Sequence, residues 1–138
     1  MNIDLQLMNR LKVDEGYEAK PYRDTNGKLT IGIGRNLDDV GISPAEADML
    51  LQNDIEAAIK ALDLIYHKAR ALDQAHYNVL VNITFNMGIN TMRQFKRMFA
   101  ALDQHDYETA SKEMLNSRWA KQVGKRAVRL TKMMRERK

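Results

Sequence analysis

The run "PYRDTNGKLTIGIGR", residues 21 to 35, constrains the fold of this chain most, because it is the only convincing β-structure in a sequence otherwise patterned for helix. Asn26-Gly27 is the strongest short-range signal for a tight hairpin turn, and it is flanked by "YRDT" and by the β-branched "LTIGI". With Asn26-Gly27 as the turn, Thr30 is expected on the strand that lies across the hairpin from Asp24. Upstream, Ile3, Leu7, Met8 and Leu11 recur at helical spacing behind a candidate N-cap at Asn2. Gly16 can end that helix, which leaves Glu15 at its C-terminus.

Downstream, "ISPAEADMLLQNDIEAAIKALDLI" opens with Ser43 as N-cap, Pro44 at the first helical position and Glu46 three residues after the cap. The pattern predicts a long helix over about 44–65, with Ala47, Leu50, Leu51, Ile55, Ala58, Ile59 and Leu62 as a wide apolar stripe. Further helical patterns occupy about 73–87, 94–103, 107–115 and 125–135, broken by Gly88, "DQHD" and Gly124. The expected fold class is therefore α+β and mainly helical. A small N-terminal lobe with a β-hairpin is joined by the long helix to a helical C-terminal lobe. As one domain over 1–138, the lobes would comprise about 13–50, and 1–12 plus 60–138.

A chain of 138 residues without cysteine has no disulfides and no thiolate zinc site. No apolar run approaches the roughly 20 residues that span a bilayer, and "MNIDLQLMNRLKVDEG" is unlike a signal-peptide core. Synthesis in the cytoplasm, without export by a signal of its own, is the expectation. The net charge of +4 is unevenly placed: residues 112–138 carry ten Lys/Arg against Glu113 and Glu136. That basic surface attracts polyanions such as nucleic acid, anionic lipid or an anionic bacterial wall, or else serves as a solvated face.

Two carboxylates in unlike surroundings are what glycosidic hydrolysis needs, one to donate a proton and one to stay ionised. At a helix C-terminus, Glu15 meets the negative end of the helix dipole, which favours a neutral acid. Asp24, at the hairpin start, can accept turn amides and stay ionised, and the Thr30 hydroxyl can help it hold a water. Helix-end Glu, pre-turn Asp and strand Thr are also common structural residues, so chemistry alone leaves both readings standing. Gly32 and Gly34 do not form a phosphate loop, since no Lys-Ser/Thr follows them.

Four elements together carry a resemblance: "DEG", "YRDTNGKLTIGIG", "FNMG" and "SRWAKQVGKRAVR". They resemble the T-even-type phage lysozyme family, glycoside hydrolase family twenty-four, over nearly the full chain. The resemblance implies a lysozyme-like fold with a cleft between its lobes. It also implies an inverting muramidase that cleaves the β-1,4 bond between N-acetylmuramic acid and N-acetylglucosamine for host cell lysis. In that family Glu15 corresponds to the general acid, and Asp24 and Thr30 correspond to the residues that bind the water. Phe85 and Asn86 match cleft-lining positions, although by themselves they read as a core Phe and a helix-end Asn. Leu37 matches a substrate contact, and Arg126 matches an Arg that approaches the catalytic Glu.

Trp119 is expected to anchor the core and the nine Met residues to fill packing gaps. Arg35 stands where the best-known members have His, and pairing with Asp54 on the long helix is the expectation for it. The segment from Gly34 to Ile42 is short, which predicts a reduced third strand. Asn86 stands where some members carry Gln, and Val123 where some carry Thr.

The expected partner is the peptidoglycan glycan chain, met after a holin-type membrane lesion, with the enzyme a monomer that needs no metal or cofactor and has no stable membrane insertion. Three other readings compete: a lytic transglycosylase-like wall enzyme; a basic nucleic-acid-binding helical protein, which lacks a groove-reading motif; and a catalytically dead wall-binding module, disfavoured because all three catalytic positions hold the expected residue types.

Overall fold

The structure is a computed structural model that describes residues 2–136. It is α+β with helix predominating, as the patterning predicts, and it divides into two compact units, residues 1–49 and 50–138. Helix α1 (Leu5–Glu15) opens the first unit, capped by Asp4, whose carboxylate accepts the Gln6 amide at 2.9 Å, and not by Asn2. Asp caps a helix as well as Asn does, so a cap two residues later than expected satisfies the same kind of orphan donor. Gly16 ends α1 at φ +73°, with its amide on the Lys12 carbonyl.

Strands β1 (Glu18–Arg23), β2 (Leu29–Gly32) and β3 (Arg35–Asn36) form an antiparallel meander in that order. The third strand is reduced to two residues, in line with the short segment that encodes it. The hairpin register differs from expectation. Tyr22 pairs with Thr30 and Arg23 with Leu29, which leaves five residues between paired positions; a backbone bond joins Asp24 to Lys28 across them, and Thr25, Asn26 and Gly27 form the tip of the loop. The cause is Asp24: its backbone bonds both Lys28 and Gly27, and Oδ1 draws in the amides of Asn26 and Lys28 at 2.9 and 2.8 Å. Those bonds stabilise a longer turn in which only Gly27, at φ +76°, takes the left-handed conformation.

Helix α2 (Pro44–Ile65) begins with a reciprocal capping box. The Ser43 amide donates to Glu46 Oε1 at 2.9 Å, and the Glu46 amide donates to Ser43 Oγ at 3.1 Å. Glu46 also receives Arg35 from β3 through two contacts, at 2.7 Å to Oε1 and 2.6 Å to Oε2. The expected Arg35–Asp54 pair is thus corrected: the guanidinium is taken two helical turns earlier, where the capping box already holds a carboxylate in place. A fork matched to a fixed carboxylate loses less side-chain freedom than one that must order a mobile partner.

The second unit holds the main core. The C-terminal half of α2 joins a 3₁₀ turn (His67–Ala71) and helices α3 (Gln74–Met87), α4 (Ile89–Met92), α5 (Lys96–Asp103), α6 (Tyr107–Leu115), α7 (Arg118–Val123) and α8 (Lys125–Arg135). Helix α6 packs against α5 and α8, and Leu80, Ile83, Met98, Met114, Trp119 and Met134 are buried between the elements. Trp119 anchors this core as expected, and four methionines fill it, but Met49 is exposed. Of the predicted α2 stripe, Ala58 and Leu62 are buried and Ile55 and Ile59 pack on the core, whereas Leu50 and Leu51 are exposed.

His76 is wholly buried, stacked on Tyr107, with one ring nitrogen on Asp73 and the other 2.7 Å from the Glu136 carbonyl. Burial pushes the Asp73 carboxyl upward, but the hydrogen bond and charge attraction of His76 and the bonds from backbone amides together outweigh it and lower the group from its ordinary value.

Two outcomes follow from this packing. Leu80→Ala, at a site with no exposure, lowers stability by about 2–5 kcal/mol in urea unfolding, while Leu64→Ala at an exposed site stays within about 0.5 kcal/mol. The bond from Arg35, with help from Ser43, lowers the Glu46 carboxyl from 4.5 to about 2. The unfolded chain therefore binds the extra proton between those values, and the stabilisation is complete above pH 4.5 and lost as pH falls toward 2. In acid titration of unfolding, Glu46→Gln removes that slope; a variant whose profile parallels the wild type would show that the contact does not act.

Candidate active site

All three residues expected to carry chemistry lie in the first unit. Glu15 is the last residue of α1, exposed, with Gly16 turning the chain immediately after it into β1. Its carboxylate rests on the turn between β2 and β3: a Cβ built on Gly34 would stand 2.7 Å from Glu15 Oε2. Gly34 is at φ +72°, so both the backbone and the neighbouring acid call for glycine there. The spaced glycines of "TIGIG" thus have a local purpose, since Gly34 leaves room for a carboxylate.

Asp24 and Thr30 lie on one face of the hairpin. Thr30 is directly opposite Tyr22, and Asp24 is two residues from Tyr22, making Asp24 and Thr30 diagonal neighbours about 7–8 Å apart. Inward burial follows the same period: Tyr22 and Asp24 are half-buried, Thr30 is buried, and Pro21 and Arg23 are exposed. The two turn amides occupy Asp24 Oδ1, and among the described residues no bond reaches Oδ2. The Thr30 hydroxyl donates to the Lys28 carbonyl at 2.9 Å, so its remaining capacity is to accept. Asp38 and Asp39 clip the hairpin from the following loop, through the Leu29 amide at 2.8 Å and Lys28 Nζ at 3.2 Å.

Leu37, half-buried, extends β3 by giving its amide to the Leu29 carbonyl at 2.7 Å. The remaining candidates belong to the second unit. Phe85 is 42% exposed and so is not a core residue. It lines a hollow of about 350 Å³ with Arg126, Asn78 and Asn82 above an apolar floor of Leu51, Ile55 and Val81. Sequence reading did not single out Asn78 or Asn82, although their spacing with Phe85 along α3 places all three on one exposed face. Asn86 turns the other way, its Oδ1 accepting the Trp119 indole N–H at 3.3 Å.

Gly34→Ala tests the Glu15 placement: the new methyl group displaces the carboxylate, shifting the Glu15 carboxyl carbon resonance, and the positive φ costs about 1–2 kcal/mol of stability. An unmoved resonance would exclude the contact.

The family described as phage lysozyme matches residues 12–138. Probable T4-type lysozymes 1 and 2 of Dictyostelium discoideum are 28% and 29% identical to the chain, with 90% of each protein covered in both cases. The peptidoglycan hydrolase gp36 of Pseudomonas phage phiKMV is 25% identical over 87% of this chain and 14% of its own length. A match that runs through the Glu15 turn, the hairpin and every helix of the second unit shows that the chain belongs to the phage lysozyme family and is an enzyme of the lysozyme class.

Proposed function

We propose that this lysozyme hydrolyses the β-1,4 bond between N-acetylmuramic acid and N-acetylglucosamine, with inversion at the anomeric carbon, in the service of host cell lysis. Peptidoglycan hydrolysis itself accords with the family and with the relatives named above. Glu15 is the general acid, protonating the leaving oxygen. Asp24 is the base, and Thr30 helps it hold the attacking water.

The observation that carries this reading is the hydrogen-bond state of the hairpin pair. Asp24 Oδ1 is engaged by two amides, which fixes the carboxylate in place and leaves Oδ2 for a water proton. The Thr30 hydroxyl hydrogen is committed to the Lys28 carbonyl, so Thr30 accepts the second water proton. A water that donates both hydrogens this way has its lone pairs available for the anomeric carbon. Inversion fits that role, because it places the water between acid and base carboxyls roughly 6.5–9.5 Å apart. A lytic transglycosylase closes its ring without water and has no use for the pair.

The hollow of Phe85 and Arg126 suits an N-acetylated sugar: an aromatic edge and apolar floor for the ring face, with carboxamides and a guanidinium for its polar groups. Leu37 and the amide nitrogen of Asn86 are the finer glycan contacts in this proposal. The chain works as one lysozyme-like domain and as a monomer. Made in the host cytoplasm, it reaches the wall through a separate, holin-dependent lesion. No helix among the described residues is long and apolar enough to cross a membrane.

Glu15→Gln lowers the rate at which a peptidoglycan suspension clears by roughly 100-fold or more without moving the thermal midpoint. Equal clearing would remove Glu15 from the acid's role. In proton NMR of the digest, the first product to form is the α-anomer, and anhydro-muramoyl ends would reassign the reaction to a transglycosylase.

A further inference from the structure

Apart from Arg126, which lines the hollow of the proposed site, helices α7 and α8 carry a charge pattern that neither hydrolysis nor folding calls for. From Arg118 to Arg135 there are seven cations and no acid: Arg118, Lys121, Lys125, Arg126, Arg129, Lys132 and Arg135. None forms an ion pair among the described residues. Lys125 and Arg126 occupy the first turn of α8, at the positive end of its dipole, where an acid would stabilise. Lys125 with Arg129, and Arg129 with Lys132, are like-charged neighbours at helical spacing, which destabilises the helix further. Lys132 and Arg135 alone are favourably placed, in the last turn. An ordinary solvated face mixes signs, as α6 does with Glu108, Lys112 and Glu113.

The inward side of α8 is Ala127, Leu130, Thr131 and Met134, all buried. Its outward arc centres on Lys125, Arg129 and Lys132, flanked on one side by Val128 at 64% exposure and on the other by Met133 at 41%. Cations alone suit any polyanion. Cations flanked by exposed aliphatic side chains suit one that also offers an apolar phase, which a polysaccharide or a nucleic acid does not.

We propose that the outward face of α8 is a docking surface for an anionic phospholipid bilayer, on which the helix lies without spanning. The cations pair with headgroup phosphates, and Val128 and Met133 enter the acyl boundary. Near an anionic surface each Lys or Arg strengthens binding by about fivefold, so three of them supply about 100-fold.

The test uses the full chain with vesicles of phosphatidylethanolamine and phosphatidylglycerol in equal parts, pure phosphatidylcholine vesicles, lipid-free sacculi and duplex DNA, with binding read by co-sedimentation. Binding to the anionic vesicles and not to phosphatidylcholine is expected. K125Q/R129Q/K132Q weakens it about 100-fold, and V128S/M133S weakens it roughly tenfold, most plainly at high salt where the charge attraction is screened. Equal binding to phosphatidylcholine, binding to DNA that matches the anionic vesicles, sacculus binding that the two variants weaken as much as vesicle binding, or unchanged vesicle binding in both variants would overturn the proposal. Circular dichroism melting confirms that the variants fold. Should the triple variant fail that check, V128S/M133S and the contrast between the two lipids still decide. The readout needs no catalysis, so it stands apart from the outcome with Glu15→Gln.

Discussion

One carboxylate, that of Glu46, holds the first unit in its working arrangement. It closes the Ser43 capping box at the start of α2 and at the same time grips the guanidinium of Arg35 on β3, while Arg35 also donates to the Gly41 carbonyl at 3.1 Å. A two-residue edge strand has too few ladder bonds to fix itself, so side-chain clamps decide where it lies. The residue before Arg35 is Gly34, the floor beneath the Glu15 carboxylate. The position of the proposed acid therefore descends, through three contiguous contacts, from a helix cap.

The hairpin makes a comparable use of a single acid. Asp24 shapes its own turn by accepting two amides through Oδ1, and those same bonds leave Oδ2 for the proposed water. Structure and chemistry are the same hydrogen bonds here. Removing the carboxylate would alter the loop as well as the proposed base, whereas the Thr30 hydroxyl, bonded locally to Lys28, contributes little to the turn.

Charge separates the two ends of the chain. Acidic groups cluster where the hairpin and α2 need caps and clips, among them Asp24, Asp38, Asp39 and Glu46, each with a named partner. The cations of α7 and α8 form no ion pairs among the described residues and stay available for a surface outside the molecule.

Elements governed by local rules were legible from residues alone: α2 with its Ser43, Pro44 and Glu46 opening, the Gly16 stop that leaves Glu15 at a helix end, and α8 with its periodic apolar face. The short helices α4 and α7 were not, because four and six residues are too few for periodicity to show and tertiary packing decides them. The residues proposed to carry the chemistry, Glu15, Asp24 and Thr30, could be named from motif and resemblance. Their hydrogen bonds could not, nor could the three-residue turn, the partner of Arg35, or the convergence of Phe85, Asn82 and Arg126 on one hollow. Sequence determines which residues are available and what each local segment prefers; only tertiary structure decides which donor meets which acceptor, because a side chain's partner depends on distances that the chain's own spacing does not contain.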